Sequence, residues 1–309
     1  MKKKFLTILI SIILLGQAPS AFALLMPQSG DDLANMVGIG AKAFAVYDVT
    51  NGQMLMSSNL DAPRIPASLT KLVTALVVLD SKTKLTKVVT MTKDDQIIGA
   101  CSNGGACVNS KAGVKFTVNG LFHALLLRSA NNAANALARS TGLSTADFVD
   151  RMNKKAAELG ATNSHFYEPT GLNPANIITA SDYVKILAAA FSSPYLSNIA
   201  GLSQFSLLST NNSRYNQVIK NGDKLLANPD IQVLGAKTGY LDESGYNFSA
   251  LLKYRDGQKL ALVVLGEPHM YSAYAETALL AGLAEDARSL AESSAAGLGV
   301  STPPSHLSN

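Results

Sequence analysis

Residues 66–80 read PASLTKLVTALVVLD, and the position of this segment determines how the rest of the chain must pack. Pro66 ends a loop, and the apolar residues after it recur at helical spacing. The helix predicted over 67–79 is apolar on almost every side, and a helix of that kind is stable only when it is buried. We therefore expect it at the centre of the domain. Its apolar residues are Leu69, Leu72, Val73, Leu76 and Val77.

Strand patterns lie towards both ends of the chain. Before the central helix, two alternating apolar runs are separated by DVTNG at 48–52, and such an Asn-Gly turn is typical of a β-hairpin. Near the other end, an Asp256-Gly257 turn separates two further runs. Hairpins favour antiparallel pairing, so we expect an α+β fold whose antiparallel sheet is built from both chain ends and flanked by helices. The predicted strands are 41–47, 53–57, 232–237, 246–254 and 259–265.

The middle of the chain, about 85–225, is predicted to be a helical subdomain. Its apolar residues recur at helical spacing, Ser144 is a predicted N-cap and Gly160 a predicted helix stop. Helices are expected at 118–127, 132–140, 145–159 and 180–191, with a final helix at 271–292.

These patterns favour one large domain over 38–285, after a lead-in at 24–37. Residues 286–309 hold the end of the last helix and a tail that begins at Ser293. The Ser, Gly and Pro content of this tail predicts disorder.

The first 23 residues have the pattern of a secretory signal. Lysines at 2–4 precede an apolar run at 5–15, and Ala21-Phe22-Ala23 offers the small residues that signal peptidase recognises. This run is too short to span a membrane, which takes ~20 residues. We therefore expect cleavage after Ala23 and a periplasmic protein. Cleavage leaves 23 of the 26 basic residues against 22 acidic ones, and no basic patch that would favour nucleic acid.

The two cysteines, Cys101 and Cys107, lie in the polar segment GACSNGGACVNS. In an oxidising compartment, an isolated pair six positions apart is typical of a disulfide that closes a small loop. A metal site is the alternative and would need two further ligands. None of the four histidines lies close in sequence, and the CxxC and HExxH patterns do not occur. We predict the disulfide and no metal.

Ser68-Leu69-Thr70-Lys71 is the first of three motifs that could carry chemistry. A serine and a lysine three positions apart on one helix share a face. A serine hydroxyl is a poor nucleophile until a base takes its proton, and a lysine can be that base when burial lowers its pKa. The apolar helix around Lys71 predicts such burial.

The other two motifs are Ser129-Ala130-Asn131, predicted as a loop between two helices, and Lys237-Thr238-Gly239, predicted at the end of a strand. In the loop, a hydroxyl can relay a proton and an amide can hold a carbonyl. At the strand end, a lysine and a hydroxyl can bind a carboxylate, and glycine leaves room for a substrate backbone.

Each motif alone is weak evidence, since SxxK usually lies on a solvated helix face and Ser or Asn before a helix is usually a cap. Their order is more specific, with 61 residues from Ser68 to Ser129 and 108 more to Lys237. The same motif order is the signature of penicillin-binding proteins and class A β-lactamases.

Over about 38–285 the chain resembles the low-molecular-mass D-alanyl-D-alanine carboxypeptidases and endopeptidases of the penicillin-binding protein class, serine peptidase family S11. The likeness extends beyond the motifs, to MNKKA and EPTGL within 152–172 and to KTGY and SGYN within 237–247.

This resemblance implies a β-lactamase/transpeptidase-like fold and an acyl-enzyme reaction on peptidoglycan stem peptides, with β-lactams as covalent inhibitors and no cofactor. Ser68 would attack the carbonyl of the penultimate D-Ala, Lys71 would be the general base, and Ser129 would relay a proton to the departing amine. Backbone N–H groups of Ser68 and Tyr240 would form the oxyanion hole. The residues implied to bind substrate are Asn131, Lys237, Thr238, Gly239 and Tyr240.

The sequence departs from the family pattern at a few positions. Leu241 stands where a Thr is frequent, and Lys259 stands where a carboxylate-binding Arg is often found, so Lys259 is a candidate second anion contact. The chain also ends after the catalytic region, which predicts no stable membrane anchor. Short members of this kind favour the alternative of a D,D-endopeptidase that cuts cross-links. Both reactions acylate Ser68 at the same carbonyl and differ in the leaving group.

Two further alternatives remain open. A class A β-lactamase would use a glutamate in an E-P-x-L-N stretch to activate the deacylating water, whereas EPTGLN at 168–173 has one residue more between Glu168 and Leu172. A penicillin-binding module without turnover would also fit the resemblance, but the sequence retains every residue that turnover needs.

Overall fold

The structure is a computed structural model that describes residues 37–98, 100–103, 105–222, 232–254 and 256–297. The predicted signal at 1–23 and nearly all of the lead-in at 24–37 lie outside the described residues. Within them, no helix is both long enough and apolar enough to cross a membrane.

A five-stranded antiparallel sheet forms the framework, in the order β2-β1-β9-β8-β7. The first strand pairs directly with the last one: Ala45 of β1 lies opposite Val263 of β9. The sheet therefore joins the two ends of the chain, which confirms the predicted α+β fold. The strands are β1 (Ala43–Asp48), β2 (Gln53–Ser58), β7 (Gln232–Leu241), β8 (Gly245–Lys253) and β9 (Lys259–Glu267).

β7 is longer than predicted. We expected it to end at residue 237, but it continues to Leu241, so Lys237-Thr238-Gly239 lies within the strand. Gly239 pairs with Asn247 and Leu241 with Gly245 of β8. Glycine weakens a strand in isolation, and here the partner strand supplies the register that keeps it extended.

The central helix is buried as predicted, although its first turn differs. Ala67–Thr70 form a 3-10 turn, and α1 then runs over Lys71–Asp80. From Lys71 to Val78 every residue is buried. Ala67 has a φ of 48°, which is uncommon for a residue with a Cβ and is characteristic of strained functional sites.

The helical subdomain lies between β2 and β7 in sequence. The predicted cap and stop of its third predicted helix are confirmed, since the Ser144 side chain accepts from the Asp147 N–H and Gly160 has a φ of 72°. The helices are α2 (Lys93–Ile98), α3 (Val118–Leu127), α4 (Asn131–Ser140), α5 (Thr145–Glu158), α6 (Ala180–Ser192) and α7 (Pro194–Ala200).

Four short strands were not predicted. They form two antiparallel pairs, and with three or four residues each they are too short to show a periodic pattern. They are β3 (Val88–Thr90) with β4 (Lys115–Thr117), and β5 (Gln204–Leu207) with β6 (Gln217–Lys220).

The sheet is covered on both faces. Alternate residues of β1 point to opposite sides, so that Ala45 joins the core with α1 and the helical subdomain, while Phe44 joins a second core with the last helix, α8 (Met270–Gly297). α8 extends five residues past the predicted end at 292, so the prediction of disorder from Ser293 was wrong for 293–297. The rest of that predicted tail lies outside the described residues. The 3-10 turn that carries Ser68 lies where α1, the sheet and the helical subdomain meet.

Candidate active site

Ser68 and Lys71 form the centre of the site. Ser68 lies in the 3-10 turn and is half-buried, and Lys71 opens α1 with no exposed surface. The Lys71 Nζ lies 2.7 Å from the Ser68 Oγ and donates to the Thr170 carbonyl at 2.5 Å. The predicted pair is therefore in direct hydrogen-bond contact.

The surroundings of Lys71 favour its neutral form. Burial of the amine lowers its pKa well below the usual 10.5, and the positive charge of Lys237 lowers it further, while Glu168 acts in the opposite direction. A neutral amine has a lone pair that can accept the Ser68 proton. The site can therefore generate a serine alkoxide.

The loop that carries the Thr170 carbonyl is organised by Glu168, whose role the sequence did not define. The Glu168 carboxylate accepts from the N–H groups of Thr170 at 2.7 Å and Gly171 at 2.5 Å, and from the Thr170 hydroxyl. All three donors belong to the loop at 168–171, so the Glu168 carboxylate binds the loop that carries it. Glu168 thus orients the carbonyl that contacts Lys71.

Gly171 packs this loop against the 3-10 turn at Ala67–Thr70, which carries Ser68 and is called the nucleophile turn below. Its φ is +85°, and a Cβ at this position would lie 1.8 Å from the Ala67 carbonyl oxygen. Only glycine fits so close to the backbone beside Ser68. Gly171 belongs to the EPTGL stretch of the family resemblance, but this contact is not visible in the sequence.

Ser129 and Lys237 form a second hydroxyl–amine pair. The Lys237 Nζ donates to the Ser129 Oγ at 2.8 Å and to the Thr238 carbonyl at 2.9 Å. Ser129 lies in the predicted loop between α3 and α4, with a φ of 58°, and Asn131 is the buried first residue of α4. The structure therefore places the second and third motifs in contact although 108 residues separate Ser129 from Lys237.

The third motif also reaches the first. A Cβ on Gly239 would lie 2.7 Å from the Pro66 carbonyl oxygen and 3.1 Å from the Ser68 nitrogen, so β7 runs directly beside the nucleophile turn. β7 is the last strand in the sheet order, and an edge strand can pair with an extended peptide. Tyr240 follows at this edge, half-exposed and stacked on Tyr246 with ring centroids 4.3 Å apart.

Asn247 is buried, and its role could not be predicted from the sequence. Its amide donates to the carbonyls of Ile65 at 3.0 Å and Pro66 at 3.2 Å and accepts from the Gly266 N–H at 2.8 Å. It therefore joins β8 and β9 to the segment that precedes Ser68. The SGYN stretch that contains it was the available signal.

Two further cations lie at the site and were missed. Arg128 and Lys220 line the same cavity as Ser129, Lys237 and Thr238. Their positive charges suit a ligand that carries a carboxylate. Neither residue stands in a recognisable motif. Lys220 reaches the cavity from the end of β6, a strand too short to be predicted.

Lys259 does not belong to the site, so the expectation of an anion contact there was wrong. β9 passes the site near Val263, which pairs with Ser249, the partner of Lys237. Lys259 lies four residues earlier, about 13 Å away at the strand rise of ~3.3 Å per residue. Only the register of the sheet reveals this.

Two lysine–serine pairs beside an edge strand define an enzyme that can acylate a serine with a peptide-like substrate. The chain belongs to the D-alanyl-D-alanine carboxypeptidase family, peptidase S11, whose family model matches residues 31–269. It is therefore a hydrolase of the peptidase class. Within the described residues, no group of three or more His, Cys, Asp or Glu side chains is arranged to hold a metal.

Relatives of both subtypes are similar to this chain. A D-alanyl-D-alanine endopeptidase of Haemophilus influenzae is 33% identical over 215 residues, 70% of this chain and 71% of that protein. A D-alanyl-D-alanine carboxypeptidase of Mycobacterium tuberculosis is 34% identical over 228 residues, 73% of this chain and 74% of that protein. The solved structure of a Streptomyces K15 DD-transpeptidase mutant superposes with a TM-score of 0.74 at 26% identity, covering 81% of this chain and 98% of that one.

Proposed function

We propose that this protein cleaves the terminal D-Ala-D-Ala bond of peptidoglycan stem peptides through an acyl-enzyme on Ser68. The observation that carries the proposal is the Lys71–Ser68 contact at 2.7 Å, with a fully buried lysine facing the Lys237–Ser129 contact at 2.8 Å. The family and its named activity support the choice of bond.

In the acylation step, neutral Lys71 takes the hydroxyl proton while the Ser68 Oγ bonds to the carbonyl carbon of the penultimate D-Ala. The negative charge moves to the carbonyl oxygen, which faces the N–H groups of Ser68 and Tyr240. Such donors commonly contribute a few kcal/mol to transition-state stabilisation.

The tetrahedral intermediate then collapses. The C–N bond breaks, and Ser129 gives its proton to the departing nitrogen. Ser129 regains a proton from the Lys71 ammonium, which took it from Ser68, and Lys71 is neutral again. Lys237 remains cationic, holds Ser129 and, with Thr238, attracts the terminal carboxylate of the substrate. Asn131 orients the substrate amide. Water, activated by Lys71, hydrolyses the ester and restores Ser68.

A D,D-endopeptidase is the second candidate. The Escherichia coli protein of that name matches over 90% of this chain and 87% of its own length at 26% identity. An E. coli carboxypeptidase match covers 60% of that protein at 30% identity. Relatives of both names therefore match this chain, and the catalytic groups serve both reactions equally, so the two candidates differ in the leaving group they accept.

The predicted signal at 1–23 and the disulfide support export to the periplasm, with residues 38–285 as the catalytic domain. There the enzyme would trim the cell wall and influence cell shape. The motifs shared with penicillin-binding proteins support covalent inhibition by β-lactams.

Digestion of purified peptidoglycan, followed by separation of the muropeptides, tests the reaction. Conversion of pentapeptides to tetrapeptides indicates a carboxypeptidase, and loss of cross-linked dimers indicates an endopeptidase. Ser68→Ala should abolish both activities and covalent labelling by a fluorescent penicillin, and persistent labelling would refute the nucleophile assignment. Sustained turnover of a chromogenic cephalosporin, rather than one stoichiometric burst, would indicate a β-lactamase instead. Full-length folded protein that neither labels nor turns over would be a binding module.

A further inference from the structure

The disulfide loop, residues 101–107, lies directly against the Ser129-Ala130-Asn131 motif. Cys101 and Cys107 are joined in the structure, and the carbonyl of Ala106 accepts from the Asn131 N–H at 2.7 Å. Asn131 opens α4, where the first N–H groups have no partner within the helix. In the described structure α4 lacks a side-chain cap, so a carbonyl of the disulfide loop occupies that position.

The next residue of α4 makes a second attachment. Asn132 has no exposed surface, and its side chain accepts from the Val108 N–H at 3.2 Å and donates to the Val108 carbonyl at 2.9 Å. It also donates to the Ser110 hydroxyl at 3.2 Å. Consecutive residues at the start of α4 therefore bind the chain on either side of Cys107.

The described side chains around the loop do not hold it by burial. Between Asp95 and Val108, none of the residues whose exposure the structure describes is buried, and Ile97 is 62% exposed. The side chains whose exposure is described there supply no apolar anchor, whereas hydrogen bonds and the covalent closure at Cys101–Cys107 do constrain the loop. A disulfide of this kind restricts the open conformations available to the loop.

We propose that the Cys101–Cys107 disulfide is a positioning device for the reaction, because it holds the Ala106 carbonyl on Asn131 and thereby fixes Ser129 in the cleft. Ser129 has a left-handed backbone and lies two residues before Asn131. Lys237 on β7 binds the Ser129 hydroxyl. On the opposite side, Ala106 of the disulfide loop binds Asn131 at the start of α4. The proposal rests on the proposed role of Ser129 as proton donor to the leaving nitrogen.

This role predicts which reactions suffer when the loop opens. An amide substrate needs a proton on its leaving nitrogen, whereas a thioester leaves as a thiolate and does not. The Ser68–Lys71 pair lies on the nucleophile turn and α1, outside the disulfide loop. Loss of the disulfide should therefore slow amide cleavage much more than thioester cleavage.

The experiment compares wild type, the double variant Cys101→Ser/Cys107→Ser and the control Ser102→Ala, an exposed position in the same loop. An acyl-D-Ala-D-Ala peptide and the matching thioester are assayed, and penicillin acylation is followed with and without a phosphine reductant. The chain has two cysteines, so the reductant acts on this bond alone. We expect amide cleavage by the double variant to fall at least about tenfold, the scale of a modest misplacement of a catalytic group, with thioester cleavage nearly unchanged.

Asn132→Ala tests the second attachment and should show the same selective loss for the amide. Equal losses on both substrates, or no loss in either the reduced wild type or the double variant, would overturn the proposal. Failure of the proposed function gives a different result: the oxidised wild type would then not be acylated on Ser68 at all.

Discussion

Glu276→Gln should stabilise the protein at alkaline pH. Glu276 on α8 and Glu267 at the end of β9, the carboxyl pair, are 7% and 2% exposed and lie together beside Gly40. The Gly40 N–H donates to Glu276 at 2.6 Å, while the Oε2 atoms of both glutamates lack a hydrogen-bond partner among the described residues. Two buried carboxylates repel each other, so the pair favours retention of one proton.

The magnitude follows from the pKa of Glu276. Burial raises it from 4.5 to about 7, helped by the charge of Glu267 and opposed by the N–H groups of Gly40 and Ala41. Because the folded pKa is raised, the folded state binds more protons between these two values, and stability falls as pH rises from about 4.5 to about 7. At ~1.4 kcal/mol per pH unit this corresponds to about 3.5 kcal/mol, and solvent screening of the pair reduces the stability lost by pH 8 to about 2–3 kcal/mol.

Gln at 276 keeps the acceptor for Gly40 and can donate an N–H to Glu267. The variant should match the wild type at about pH 4.5 and exceed it by about 2 kcal/mol at pH 8, a rise in Tm of about 4–8 °C. Urea denaturation at both pH values measures the difference. Glu285→Gln, an exposed position on the same helix, is the control and should change neither curve. An unchanged pH slope in Glu276→Gln would refute the shared-proton reasoning.

Three further predictions concern the site. Acylation by penicillin should rise with pH and level off well below 10.5, since burial lowers the pKa of Lys71, and a stopped-flow pH profile that still rises at 10.5 would contradict this. Gly171→Ala should reduce acylation at least about a hundredfold, because its Cβ would meet the Ala67 carbonyl and displace the nucleophile turn; a normal labelling rate would refute that contact. Lys259→Ala should leave kcat and KM for the stem peptide within about twofold of wild type, since distance and solvent screen its charge from the cleft, and a selective rise in KM would restore it as an anion contact.

Local patterns predicted most elements because each depends on neighbours in the chain. The Ser144 cap, the Gly160 stop and the buried helix after Pro66 follow from periodicity and backbone preferences within a few residues. Strand ends were less predictable. The extension of β7 to Leu241 depends on pairing with β8, whose register is a tertiary property.

Helical spacing was enough to propose the Ser68–Lys71 pair, and the motif order then made Ser129 and Lys237 candidates. Their mutual contact, the Glu168 loop, the Asn247 bridge and the attachment of the disulfide loop to Asn131 all join segments distant in sequence. Hydrogen bonds between distant segments produce no periodic pattern in the sequence, so they cannot be predicted from it.

Residue type and spacing along the chain were enough to predict the α+β class and the family, and to propose which groups react. Three facts appear only once the chain is folded: Lys71 has no exposed surface, Lys259 lies about 13 Å along β9 from Val263, where that strand passes the site, and Arg128 and Lys220 line the cleft. The physical reason is that burial, charge proximity and strand register are set by which segments pack together, and packing is a property of the whole chain.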